Sequence, residues 1–381
     1  MNKAVWIVVV LVVLGGIAWV VQKGAGPATA ETGPIKIGVM VPLTGDGAVY
    51  GEPARTIYEI AAKEINDAGG INGRPIELVI EDSKCNGKDG ANAAQKLVNV
   101  DKVQIIIGGF CSSESLASIP VVEQAKVALF SPGSSSPDLT GKSPFFARNY
   151  PGDSAQGKVL ADVAYTKQGL KSLHLLVEQT DYAQGISKIL NSSFTALGGK
   201  VTTEEFPSNS SDMRQFVTKA KSSNADAFVV ITQTPAAAQR IFKVIQDLKW
   251  KTKLFVNDVV PGDPATLKTF KDLLEGAITA EVGTDPNNPV FAHALQVYKE
   301  KAGADMPYQS YGQTEWDSLF IIRDGIKAVG YNGEKLAKWL HTSVKDWKGA
   351  AGSTTIGSDG DPLSGHRAEV IKNGKVELYP L

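Results

Sequence analysis

Two short polar segments of this chain carry residue types and spacings suited to holding a charged small molecule. The first is Gly108-Gly109-Phe110-Cys111-Ser112-Ser113-Glu114, directly behind the apolar run Val103 to Ile107. A β-branched run, a glycine pair and small hydroxyl residues ahead of an apolar-periodic segment predict strand, tight turn and helix start. Such a turn presents unpaired backbone N–H groups and serine hydroxyls at the positive end of a helix, which suits an anion. The second segment follows about one strand later, where Val127 to Phe130 runs into Ser131-Pro132-Gly133-Ser134-Ser135-Ser136-Pro137-Asp138. Hydroxyl-rich loops at the carboxyl ends of successive strands are where an open α/β sheet holds a ligand. On the residues alone, the plainest reading of Ser112 and Ser113 is helix capping, and that of Ser134 to Ser136 is a polar turn.

Bond-breaking chemistry is poorly served. The chain lacks a G-x-S-x-G elbow, a P-loop and a G-x-G-x-x-G fingerprint. His174, His293, His341 and His366 are scattered without metal-ligand spacing, and Asp46-Gly47 and Asp359-Gly360-Asp361 read as turns rather than a calcium loop. No catalytic residue, metal ligand or cofactor is therefore assigned. An exported hydrolase with convergent geometry is the alternative from another class.

The elements that must position these loops alternate. Ile35, Ile37, Val39 and Val41 mark a strand, and Pro42-Leu43-Thr44-Gly45 opens a loop reaching Tyr50-Gly51. Ile57, Ile60, Ala61, Ile65 and Ala68 mark a helix ended by Gly69-Gly70. Strand (Ile76 to Glu81), helix (Gly90 to Val100) and the strand from Val103 follow, the signature of a parallel sheet. The pattern restarts after Arg148-Asn149-Tyr150-Pro151-Gly152-Asp153, with Asp153 as an expected N-cap and Gln156 three residues on. Four strands and three helices then alternate from Ser172 to Val256. Late helices are expected at Pro289 to Ala302, Gln313 to Val329 and Glu334 to Thr342, and a hairpin at Ala368 to Leu378 turns at Asn373-Gly374. Two α/β units make two lobes.

The 381 residues hold 43% hydrophobic and 21% charged side chains with a net charge of −1, which argues against a nucleic-acid partner. Ala4 to Val21 is uncharged and apolar apart from Gly15-Gly16. Either it is a signal peptide with Ala28-Thr29-Ala30 as cleavage site, or it is retained as a helix of about 27 Å, near the hydrocarbon thickness. Its length favours the retained anchor, and in both cases the rest of the chain is exported. A lipid-anchored cysteine is excluded because the first cysteine is Cys85. Cys85 and Cys111 are the only two, and an even count in an exported chain predicts a disulfide. Both lie in loops at the same edge of strands expected to be neighbours. A Cys111 nucleophile is the weaker reading, since no histidine lies near it in sequence.

Together, Ile37-Gly38-Val39, Pro42-Leu43-Thr44-Gly45 with Tyr50-Gly51, and Ile65-Asn66-Asp67-Ala68-Gly69-Gly70-Ile71-Asn72-Gly73 resemble type I periplasmic solute-binding proteins, in particular the leucine/isoleucine/valine-binding family of ABC importers. Glu81-Asp82-Ser83-Lys84-Cys85, Gly109 to Ser113, Ser131 to Thr140 and Asp181-Tyr182-Ala183-Gln184-Gly185 extend the resemblance over the whole chain beyond the linker. It implies two doubly wound parallel-sheet lobes joined by three hinge crossovers, with ligand trapped by lobe closure. Boundaries are expected at 1–34 for the signal or anchor and linker, 35–151 and 282–352 for one lobe, and 152–281 and 353–381 for the other. Carried over by residue, Ser112 holds a ligand carboxylate, the Gly133 carbonyl accepts from the ammonium, and Ser135 touches both, with Ser134 in the same loop. Tyr50 and Tyr182 border the ligand, and Asp258 pairs with the ammonium where relatives have glutamate. Trp316 is the tryptophan expected nearest the cleft, and an aromatic expected near Gln233-Thr234 is absent. The resemblance implies an extracytoplasmic, monomeric binding component, an amino acid as ligand and a membrane permease as partner. A sensing ectodomain or an amide or urea receptor is the alternative on the same fold.

Overall fold

The computed structural model describes residues 33–380. The apolar segment read as signal or anchor lies outside them, and among the described residues no helix is long and apolar enough to cross a membrane.

The first sheet forms from β1 (Ile35–Val41), β2 (Ile76–Asp82), β3 (Ile105–Ile107), β4 (Ala128–Ser131) and β5 (Phe146–Arg148). Helices α1 (Ala48–Asp67), α2 (Gly87–Asn99) and α3 (Ser112–Ala125) connect the first four strands. All pairs are parallel in the order β2-β1-β3-β4-β5. The order reverses at β1 and β3, so the helices that follow these two strands diverge to opposite faces and leave a crevice at their carboxyl ends. Both faces of the central β3 are covered, which is why that strand is apolar without interruption. Ile105 and Ile107 of β3 join one core and Ile106 joins the other.

The second sheet repeats the scheme. Helix α4 (Ser154–Asp162) runs into a π-helical turn at Val163–Lys167, and β6 (Ser172–Glu178), α5 (Asp181–Ala196) and β7 (Lys200–Phe206) follow. Then come α6 (Arg214–Ser222), β8 (Ala227–Ile231), α7 (Pro235–Asp247), β9 (Lys253–Val256), the short α8 (Pro264–Thr269) and α9 (Lys271–Leu274), and β10 (Ile278–Glu281). The chain returns to the first lobe as α10 (Pro289–Ala302), α11 (Gln309–Val329) and α12 (Gly333–Ser343), whose Phe291, Trp316, Leu319 and Leu336 pack into its core. A small hairpin of β11 (Trp347–Gly349) and β12 (Gly352–Thr354) follows, and β13 (Arg367–Lys372) and β14 (Lys375–Leu378) complete the second sheet. That sheet has the order β14-β13-β10-β9-β8-β6-β7, with the last two strands of the chain antiparallel. Asn373 and Gly374 both have positive φ, as a two-residue hairpin turn of this hand requires.

Three details depart from the spacing-based expectations. The third crossing falls after Asp361 rather than at Gly352: Ile356 is still in the first lobe's core, and the Arg148 N–H donates to the Gly360 carbonyl. Helix α11 begins four residues early, after Tyr308 in the left-handed region at φ +46°, which brings Tyr311 onto a helix facing the other lobe. The strands preceding the cysteines are not neighbours, because β1 lies between β2 and β3. The Cys85–Cys111 disulfide forms over the end of β1 all the same, with Cα atoms 5.2 Å apart.

Candidate functional site

The carboxyl ends of the two sheets face each other, and the loops there make a cleft filled by side chains from both lobes. Gly108 opens the first loop at φ +129°, with its α-carbon so close to β1 that an added Cβ would lie 2.3 Å from the Met40 carbonyl oxygen. Only glycine fits there. Cys111, not serine, occupies the cap position of α3, and the buried Glu114 carboxyl accepts from the Cys111 and Cys85 N–H groups at 2.9 and 2.7 Å. Burial pushes the Glu114 carboxyl up to about 7 against these hydrogen bonds.

Ser112 is thereby released from capping. Its hydroxyl oxygen accepts from the Ser135 and Ser136 N–H groups at 3.3 and 3.0 Å, which leaves its proton free to donate. Ser135 is buried and its hydroxyl makes no hydrogen bond within the protein. Ser134 turns the other way: its hydroxyl donates to the Gly109 carbonyl at 2.7 Å and meets the Ser115 hydroxyl at 2.8 Å, so it braces the two loops against each other. Gly133 lies against the ring of Phe110, where a Cβ would approach to 2.8 Å.

Across the cleft, Asp258 follows β9 and is completely buried. Its Oδ2 accepts from the phenols of Tyr150 at 3.1 Å and Tyr311 at 2.9 Å, and its Oδ1 from Tyr182, whose oxygen in turn accepts from Asn257 Nδ2 at 2.9 Å. Burial, reinforced by the neighbouring Asp258 carboxyl, raises all three phenols well above their ordinary range and keeps them donors. Tyr50 stands at the start of α1 and donates to the Gln233 carbonyl of the opposite lobe at 3.0 Å. It stacks on Phe110 with centroids 4.9 Å apart and meets Tyr308 edge-on at 4.8 Å. Tyr150 stacks on Tyr311 at 4.6 Å. The lobes thus meet through an aromatic cluster seated over one carboxylate.

Beside this cluster lies a polar group with acceptors in surplus. Asp153 is buried, and its N–H donates to the Ser135 carbonyl at 2.8 Å. Its side chain caps nothing, contrary to the expectation from sequence, and both oxygens lack a hydrogen-bond partner, as do Gln156 Oε1, Asn149 Oδ1 and both ring nitrogens of His366. Glu281 closes the hinge side, accepting from the Ser310 hydroxyl at 2.5 Å. Burial, with the Asp258 charge adding to it, raises the Asp153 and Glu281 carboxyls, and burial pulls the His366 imidazole down to about 4. Among the described residues no lysine or arginine pairs with Asp258, and none of these groups reaches metal-ligand geometry. The arrangement sets hydroxyl donors and a helix start on one wall and a buried carboxylate on the other, which suits holding a small charged ligand.

A family model described as periplasmic binding protein matches residues 34–369. The chain belongs to that family. An amino acid binding protein of Pseudomonas aeruginosa is 30% identical over 86% of this chain and 87% of its own length. A Leu/Ile/Val-binding protein homologue of Brucella suis is 26% identical over the same shares. Among solved structures, a leucine binding protein of Thermotoga maritima superposes with a TM-score of 0.82 at 27% identity, covering 91% of this chain and 98% of that one. Periplasmic binding proteins work outside the cytoplasm and bind their ligands without transforming them.

In this binding protein the cleft gathers Ser112, Gly133, Ser135, Tyr50, Tyr182 and Asp258, and uses Ser134 as a brace. Trp316 does not approach it. That side chain packs in the first lobe's core against His293 and Phe320. The aromatic wall comes instead from Phe110, Tyr150, Tyr308 and Tyr311. The i, i+3 spacing of Tyr308 and Tyr311 is the one signal that could have found a pair of them. Phe110 and Tyr150 sit inside segments already marked as loops, where an aromatic residue has few reasons other than a ligand or an interface.

Proposed function

We propose that this protein is the extracytoplasmic substrate-binding component of an ABC importer, capturing a small zwitterion, a branched-chain or related amino acid, between its lobes and delivering it to a membrane permease. The ligand carboxylate sits against Ser112, Ser135 and the start of α3; the ammonium sits towards the Gly133 carbonyl and Asp258; Tyr50 and Tyr182 border the side chain. The observation that supports this most directly is the charge of the cleft. Asp258 is buried without a basic partner among the described residues, beside two further buried carboxyls. Such a site gains when a ligand brings a cation and closes the lobes around it. The protein acts as a monomer, and residues 1–34 tether or export it.

A second reading, an amide or urea receptor, draws on the unpartnered acceptors of Asn149, Gln156 and Asp153, which suit a ligand rich in N–H donors. Isothermal titration of the full chain against free amino acids, their amides, urea and simple carboxylates separates the two. Binding of an aliphatic amino acid in preference to its amide is the expected outcome. Binding of amides or urea alone would put the second reading in its place, and turnover of any panel member would return the hydrolase.

A further inference from the structure

Arg148, the last residue of β5, is completely inaccessible to solvent. Stripping water from a guanidinium carries a large desolvation cost, which is recovered only when every donor is well placed. Here all of them are. Nε and Nη2 donate to the two oxygens of Asp361, both at 2.7 Å, and Nη2 also donates to the Thr140 hydroxyl at 3.0 Å. Nη1 donates to the carbonyls of Ser134 and Ser136, at 3.1 and 3.0 Å. Five N–H groups meet five acceptors. The Thr140 hydroxyl completes the group by donating to Asp361 at 2.8 Å.

The acceptors are not scattered. Ser134 and Ser136 flank Ser135, so the guanidinium grips the ligand loop from behind on both sides of the residue whose hydroxyl is free. Asp361 is where the chain leaves the first lobe for its last crossing, and Arg148 itself is where the chain leaves for its first. The two departures are joined again through the backbone, the Arg148 N–H donating to the Gly360 carbonyl at 2.9 Å. Gly152, in the first crossing, lies so near that a Cβ would come within 2.6 Å of Nη2. Beyond it, the Asp153 N–H holds the Ser135 carbonyl.

We infer that Arg148 is the positioning residue of the ligand loop, its guanidinium locking the peptides around Ser135 to Asp361 so that the carboxylate-binding loop and the pivots of two interlobe crossings behave as one rigid unit. This rests on the binding reading above and adds to it a route from loop to hinge. Lysine keeps the charge at this position but cannot span a bidentate carboxylate and two carbonyls at once. An ammonium therefore distinguishes positioning from charge.

The test uses the full chain carrying Arg148→Lys, and separately Asp361→Asn, with Ile326→Val in the first lobe's core as a destabilised control. Titration measures affinity for the preferred amino acid and for its amide, at a temperature where circular dichroism shows each variant folded. Arg148→Lys is expected to weaken the amino acid at least tenfold and to bring its preference over the amide to within threefold of unity. Asp361→Asn acts in the same direction, and Ile326→Val leaves both numbers unchanged. A residue that merely stabilised the lobe would lower the melting temperature and leave that preference intact, and this result overturns the inference. Amide hydrogen exchange gives a reading free of any ligand: protection at 134–136, 149–153 and 361–366 is expected to fall together in either variant. If wild type binds no amino acid, the binding reading fails on its own, and the exchange pattern still decides the mechanical coupling. Loss of protection at only one of the three segments refutes that coupling. Should Arg148→Lys not fold, Asp361→Asn carries both measurements.

Discussion

Asp258→Asn removes one charge from the cleft and changes almost nothing in shape. Three phenols converge on this carboxylate, and Tyr311 reaches it from the other lobe. The Asn oxygen can still accept from two of them, whereas its NH2 group cannot accept from the third, so one buried phenol loses its partner at a cost of about 1–3 kcal/mol. That cost appears as lower thermal stability with or without ligand. The effect on binding is separate. An ammonium that relied on this buried charge loses about 2–5 kcal/mol, roughly 30-fold to 4,000-fold in Kd. Calorimetric titration of both proteins with the preferred amino acid, and with the same molecule lacking its amino group, reads the two effects apart. The amino acid should weaken by at least thirtyfold, while the des-amino compound changes by less than threefold. If the variant melts earlier yet binds the amino acid within threefold of wild type, Asp258 is a structural acceptor for tyrosines and the ammonium assignment is wrong.

Stability should fall as pH rises through neutrality. Burial lifts Glu114 and Asp317 to about 7 and Glu315 to about 8, so what they contribute is complete below their ordinary values, 4.5 for the glutamates and 3.8 for the aspartate, and is lost by the time pH has climbed through 7 to 8. His366, held down to about 4, acts in the opposite sense, its contribution fading as pH drops from 6.5 towards 4. Melting followed by circular dichroism should thus decline from pH 6 to 8.5, less steeply in Glu315→Gln; a flat wild-type profile would contradict these shifts. Reducing Cys85–Cys111, which closes a 26-residue separation, should cost about 3.5 kcal/mol and weaken ligand binding, since Cys111 leads directly into Ser112. Unchanged affinity in reductant would uncouple the bridge from the site. Gly108→Ala sets a Cβ against the Met40 carbonyl at φ +129° and should cost more than about 2 kcal/mol in a denaturant titration. Tyr50→Phe deletes the interlobe bond to Gln233 and should weaken ligand about fivefold, near 1 kcal/mol; tighter binding would mean the bond opposes the ligand-bound form.

Much of this arrangement is legible in the chain, and the remainder is hidden for a physical reason. Strands such as Ile105–Ile107 are buried on both faces, so they appear as unbroken apolar runs whose ends mark the loops. Gly108 and the serines near it are demanded by local geometry, and local geometry leaves a local trace. Tyr311, Asp153, His366 and Arg148 are different. Each sits where two crossings or two lobes come together, and its burial is created by segments more than fifty residues away in sequence: Asp361 for Arg148, Asp258 for Tyr311 and Asp153 for His366. No window of sequence contains both partners. The misplaced start of α11 shows the same thing from the other side. Periodicity finds that helix from Gln313 onward because its core-facing positions begin there. The added first turn is held instead by interlobe bonds from Tyr308 to Gly262 and Asp263, and it is that turn which carries Tyr311 to Asp258. Residues that line a closing cleft answer to the closed form of the whole molecule, so the aromatic wall emerges only once both lobes are folded and facing each other.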